Sequence, residues 1–115
     1  MTYHFDVLVI GSGLAGLTLA LHLADQRKIG LVTKKTLLDG ASSWAQGGIA
    51  AVLAGDDTTA SHIKDTQLAG AGLCDEGATR YVIERGPECI EWLVGQGVPF
   101  TRDAANTTGY HLTTE

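Results

Sequence analysis

The chain is short of cysteine, proline and basic residues, and each shortage closes off a class of protein. Cysteine occurs only at Cys74 and Cys89 in 115 residues. Two thiols do not make a disulfide framework, and neither lies in a CxxC or CxxH spacing that would suggest zinc. They are expected to be reduced and mostly buried. Proline also occurs only twice, and with no G-x-y period this excludes collagen-like structure. Lys and Arg number 8 against 13 Asp and Glu, a formal charge of −5. That surface is ill suited to nucleic acid or to an anionic membrane. Residues 1–6 carry no Lys or Arg, so the apolar run 7–24 lacks the positive flank of a signal peptide. Three glycines, Ser12, Thr18 and His22 interrupt that run and argue against a membrane span. There is no GxSxG elbow, internal repeat or low-complexity tract. A cytoplasmic location is expected.

Glycine is abundant, at 15 of 115 residues, roughly twice the usual ~7%. Apolar residues make up 44% and charged residues 18%, an ordered composition with length for one domain. Residues 5–10 (FDVLVI) form a β-branched run that is apolar on both faces, as a buried parallel strand requires. A glycine turn follows, and then residues 14–26 read as a helix, with Leu17, Ala20, Leu21 and Ala24 at helical spacing. Residues 29–33 (IGLVT) read as a second strand. Strand, glycine turn, helix and strand within 35 residues amount to half of a doubly wound fold. Helices are predicted over 59–73, with Ile63, Leu68 and Ala69 facing inward, over 75–85 and over 87–96. Tyr81, Val82, Ile90, Leu93 and Val94 supply the apolar stripe of the last two, and residues 98–115 read as polar loop.

Chemistry is concentrated in the glycine turn, Gly11-x-Gly13-x-x-Gly16. The first glycine permits a tight exit from the strand. The second allows backbone to approach a pyrophosphate, and the third lets the helix pack closely on the strand. Lying between a buried strand and a helix, the motif indicates dinucleotide binding. The carboxylate that such sites place about 20 residues on, to hold the ribose, is replaced by Lys34 and Lys35, with Lys34 lying 23 residues after Gly11. Lys34 can donate to ribose, adenine or phosphate, or it can simply face solvent. Residues 41–48 (ASSWAQGG) allow close backbone approach and offer Ser42, Ser43 and Gln46 as hydrogen-bonding groups. The same composition also suits a helix–strand corner. His62 and Asp65 share a helix face, where a surface hydrogen bond is expected rather than a metal or acid–base pair. No metal ligand is assigned to His4, His22 or His111.

These pieces in this order resemble the L-aspartate oxidase family, flavoproteins of NAD biosynthesis related to succinate dehydrogenase and fumarate reductase flavoprotein subunits. The matching stretches are DVLVIGSGLAGL, the Lys34 position, SSWAQGGIAAV, SHIKDTQLAGAGLCD and YHLTTE. The resemblance implies an α/β, Rossmann-like FAD-binding domain, here partial, with a βαβ unit and flavin-side loop over 1–55 and a helical segment over 56–115. It implies that Gly11, Ser12, Gly13, Leu14, Ala15 and Gly16 form the FAD pyrophosphate turn and that Lys34 serves the adenosine end. Ala41, Ser42, Ser43, Trp44, Ala45, Gln46, Gly47 and Gly48 would run beside the pyrophosphate and flavin. Glu115 would meet the ammonium of L-aspartate. Relatives of the succinate dehydrogenase type attach flavin through a histidine six residues before the Gly-Gly step. Here that position is Ala41, so FAD is expected to be non-covalent. The family oxidises L-aspartate to iminoaspartate, with oxygen or fumarate as acceptor, and its product chemistry implies functional coupling to quinolinate synthase. Its enzymes are several times longer. The chain is therefore expected to be the N-terminal part of such an enzyme, with no catalytic residue of its own. The alternatives are a fumarate reductase or succinate dehydrogenase type flavoprotein and a non-catalytic nucleotide-binding module.

Overall fold

The computed structural model describes residues 1–105 and 107–113. They fall into two compact units, Met1–Gly48 and Ile49–Glu115.

The first unit contains strand β1 (Val7–Ile10), helix α1 (Leu14–Leu23) and strand β2 (Ile29–Val32). The strands pair in parallel, with Val7 opposite Ile29 and Ile10 opposite Val32. Parallel neighbours need a crossover, which α1 supplies. β1 starts two residues later than predicted because Asp6 pairs differently. Its carboxylate accepts the Lys28 amide at 2.7 Å, while its own amide donates to the Lys28 carbonyl. α1 stops at Leu23, short of residue 26, where the Gln26 and Arg27 amides both turn back to the Leu23 carbonyl. Phe5 lies over Gly30, where a Cβ would come within 2.7 Å of its ring.

The sequence predicted β1 to be buried on both faces. In the structure Val9, which faces α1, is buried, whereas Leu8 is exposed and Ile10 is 83% exposed. A single helix covers only one face of a two-stranded sheet, and alternation puts Leu8 and Ile10 on the other.

The second unit contains α2 (Thr59–Ala69), α3 (Glu76–Glu84) and α4 (Gly86–Gly95). The starts of α2 and α3 are capped: Thr58 Oγ1 accepts the Ser61 amide and Asp75 Oδ1 accepts the Ala78 amide. Pro87 sits in the first turn of α4, where its missing N–H costs nothing. α2 ends at Ala69 rather than 73 because Ala71 and Gly72 adopt φ of +47° and +87°, which a right-handed helix cannot contain. Gln67 and Thr79 then join α2 to α3 at 3.1 Å.

Ile63, Ile83 and Ile90 form the core of this unit. Four expectations are corrected here. Leu68 is 78% exposed, and Ala69 is exposed as well. Five residues beyond Ile63, Leu68 is rotated by roughly 140° at 3.6 residues per turn. Tyr81 and Val82 are exposed and Ile83 takes the inner position. The Arg85 guanidinium covers the Tyr81 ring at 3.6 Å. Cys89 is exposed and Cys74 half-buried, and both are free. Residues 98–113 are not all loop: Arg102 and Tyr110 form an antiparallel bridge, with the Arg102 guanidinium 4.2 Å from the Tyr110 ring centre.

Candidate dinucleotide site

The glycine turn has the geometry its spacing demands. Gly11 has φ of +111° and donates its amide to the Val32 carbonyl at 2.8 Å, tying the end of β1 to the end of β2. Gly16 lies where α1 touches β1. A Cβ there would overlap the Gly11 carbonyl oxygen and stand 3.2 Å from Val9 Cγ1. Gly13 differs, since a Cβ would meet only Ser42 Oγ, at an ordinary 3.5 Å. The protein itself therefore does not require glycine at 13. What a side chain would occupy is space at a cavity, the property of a backbone built for close approach by a ligand.

That cavity measures about 410 Å³ and is lined by Gly11, Ser12, Gly13, Thr33, Lys34, Lys35, Asp39, Gly40, Ala41 and Ser42. Its size lies within the usual range of ligand sites. Six predicted residues meet in it: Gly11, Ser12, Gly13, Lys34, Ala41 and Ser42. Leu14, Ala15 and Gly16 belong to the first turn of α1, beside the cavity rather than in its lining. Ser43 and Trp44 close a one-turn 3₁₀ helix (Ala41–Trp44). Ala45, Gln46, Gly47 and Gly48 continue from it as exposed irregular chain. None of these last six lines the cavity. Glu115 lies outside the described residues.

Hydrogen bonds hold the cavity wall in place. Ser12 is only 7% exposed. Its Oγ donates to the Leu37 carbonyl at 2.9 Å and lies 3.1 Å from Thr33 Oγ1. One hydroxyl has one proton, so Thr33 is the donor in the second bond. Ser42 Oγ accepts the Leu14 amide at 3.2 Å. It thereby caps α1 from outside, since Gly13 has no side chain to do so. The Ser42 proton stays available for a ligand oxygen. An anion here meets the amide end of α1 and two lysines.

Sequence reasoning missed Thr33, Lys35, Asp39 and Gly40 as lining residues. Asp39 was within reach, being the first carboxylate after β2. Searching five residues past the usual position would have found it.

In the second unit, a pocket of about 300 Å³ is walled mainly by Ile49, Val82, Ile83 and Ile90, with His62 and Cys89 also in the lining. The expected hydrogen bond between His62 and Asp65 does not form. The Asp65 side chain makes no hydrogen bond among the described residues, and the His62 carbonyl accepts from Thr66 Oγ1. Among the described residues no three His, Cys, Asp or Glu side chains gather as a metal site. No described helix is long and apolar enough to cross a membrane.

The chain is similar to known proteins. L-aspartate oxidase 1 of Ralstonia nicotianae is 63% identical over 112 residues, covering 97% of this chain and 21% of its own length. L-aspartate oxidase of Pseudomonas aeruginosa is 52% identical over 118 residues, covering 98% and 22%. A variant of E. coli quinol fumarate reductase matches in structure with a TM-score of 0.84 and 29% identity, over 92% of this chain and 19% of that one. The chain thus spans about a fifth of the length of these relatives. The family model for the FAD binding domain matches residues 6–114. With the glycine turn, the amide end of α1 and the lysine-bearing wall around one cavity, the chain belongs to the FAD binding domain family, and FAD is the cofactor that its site fits.

Proposed function

We propose that the whole protein is an FAD-dependent L-aspartate oxidase that converts L-aspartate to iminoaspartate at the entry to NAD biosynthesis. The observation that carries this is the 63% identity to L-aspartate oxidase 1 of Ralstonia nicotianae across 97% of the chain. Both compact units then belong to one FAD-binding domain. When bound, FAD supplies the two-electron redox chemistry. The residues of this chain bind and orient it. Gly11 and Gly13 let main chain come up to the pyrophosphate, and the Ser42 hydroxyl donates to it. Lys34 serves the adenosine end, and Lys35, in the lining of the same cavity, offsets the pyrophosphate charge. Residues 43–48 run along the flavin side. Ala41 offers no nucleophilic atom, so the cofactor is held non-covalently. Glu115 attracts the substrate ammonium and so separates L-aspartate from succinate and fumarate. The electrons pass to oxygen or fumarate, the product is handed on to quinolinate synthase, and the enzyme works in the cytoplasm.

The structural likeness to fumarate reductase makes succinate–fumarate chemistry the second reading. Both are tested by assaying the full-length, FAD-loaded protein with L-aspartate and with succinate. Oxygen uptake and oxaloacetate, formed by hydrolysis of the imine, are followed together. Turnover of L-aspartate alone is expected, and turnover of succinate alone overturns the proposal. Acid precipitation is expected to leave the flavin in the supernatant.

A further inference from the structure

We propose that Asp39 is the ribose-binding carboxylate of this site, displaced from the end of β2 onto the turn that follows it. This rests on the reading of the cavity as an FAD site. Dinucleotide folds hold the adenosine ribose with a carboxylate at the end of the second strand, a place that Thr33, Lys34 and Lys35 occupy here. Asp39 nonetheless lines the same cavity as Gly11, Gly13 and Lys34.

Its position is built by the protein. The Asp39 amide donates to the Thr36 carbonyl at 3.2 Å, closing a four-residue turn. Asp39 Oδ2 accepts from the Thr36 amide at 3.1 Å and from Thr36 Oγ1 at 2.9 Å. The turn is in turn fastened to the glycine motif by the buried Ser12 hydroxyl, which donates to Leu37 in its middle. The carboxylate is thus held at a set distance from the pyrophosphate turn. Oδ1 makes no hydrogen bond among the described residues, and no ion pair joins Asp39 to Lys34 or Lys35. One carboxylate oxygen fixes the turn and the other is left to accept from a sugar hydroxyl. Lys35 serves the phosphates and Lys34 the adenosine end, so the carboxylate and the lysines divide the ligand between them.

The test uses the full-length apoprotein and two ligands, FAD and an FAD whose adenosine ribose lacks its 2′-hydroxyl, titrated by flavin fluorescence. The wild type is expected to prefer FAD by roughly tenfold, the value of one hydrogen bond to a charged group. Asp39→Asn keeps an oxygen for the Thr36 bonds but removes the charge. Its NH2 group can still donate to the sugar hydroxyl, a weaker bond than the carboxylate makes, so it is expected to bind the analogue as the wild type does and FAD several-fold more weakly, shrinking the preference. Asp39→Ser, which keeps a hydroxyl acceptor for the turn, replaces it if the first variant does not fold. A variant that retains the wild-type preference overturns the proposal, as does a wild type that binds both ligands equally while still binding FAD. Failure of the wild type to bind FAD at all overturns the cofactor reading as well, and so is told apart from the other outcomes.

Discussion

Met1–Gly48 lines its cavity with glycines, hydroxyls and two lysines, whereas Ile49–Glu115 walls its pocket mainly with Ile49, Val82, Ile83 and Ile90. The buried residues differ in the same way. The first unit buries Val9 and the hydroxyl of Ser12, and the second buries three isoleucines. In the first, shape comes from backbone: a left-handed glycine, a helix in contact with a strand, and loops fastened by hydroxyls. In the second, shape comes from side-chain volume on α2, α3 and α4. Adding an atom should therefore injure the first unit, and removing atoms should injure the second.

Gly16→Ala should have the largest effect. Its Cβ meets main chain, the Gly11 carbonyl, which cannot rotate away. A loss of about 3 kcal/mol is expected, with no saturable FAD binding in a fluorescence titration. Wild-type binding by this variant would break the contrast between the units. Ile90→Ala should come next. Ile90 is 4% exposed, and truncation should cost about 2–3 kcal/mol by urea denaturation, with FAD affinity changing far less than stability. An equal loss of both would show that the units are energetically one. Leu68→Lys should do least, within about 0.5 kcal/mol, because Leu68 faces away from the Ile63 side of α2. A loss above about 2 kcal/mol in thermal melts would mean that the exposed face of α2 is covered in the protein.

Much of the site was legible in advance because its demands are backbone demands. Gly11, Gly13 and Gly16 are read from spacing alone, and their roles follow from a strand before and a helix after. Lys34, Ala41 and Ser42, expected at the cofactor, line the same cavity as that turn. Asp39 was missed because its reach depends on a turn closed by Thr36 and pinned by Ser12, contacts across 3 and 25 residues that no periodicity encodes. The helices were found and Ile63 faces inward as expected, but Leu68 and Ala69 on α2 and Tyr81 and Val82 on α3 do not. Leu68 and Tyr81 are apolar enough to suggest burial, yet the direction of burial depends on which neighbour is present. The exposure of Ile10 and Leu8 has the same origin: their character fits a doubly covered sheet, and α1 covers one side.

The sequence alone determined the βαβ unit and the glycine turn, because steric rules on φ, strand alternation and helix period act over a few residues; the likeness to FAD-binding flavoproteins came from its motif stretches. Only the tertiary structure decided which residues line the cavity, that Ser12 clamps the loop after β2, and that Asp39 lines the same cavity as two lysines. Those outcomes depend on hydrogen bonds between segments distant in the chain, and they exist only once β1, α1 and β2 have packed together.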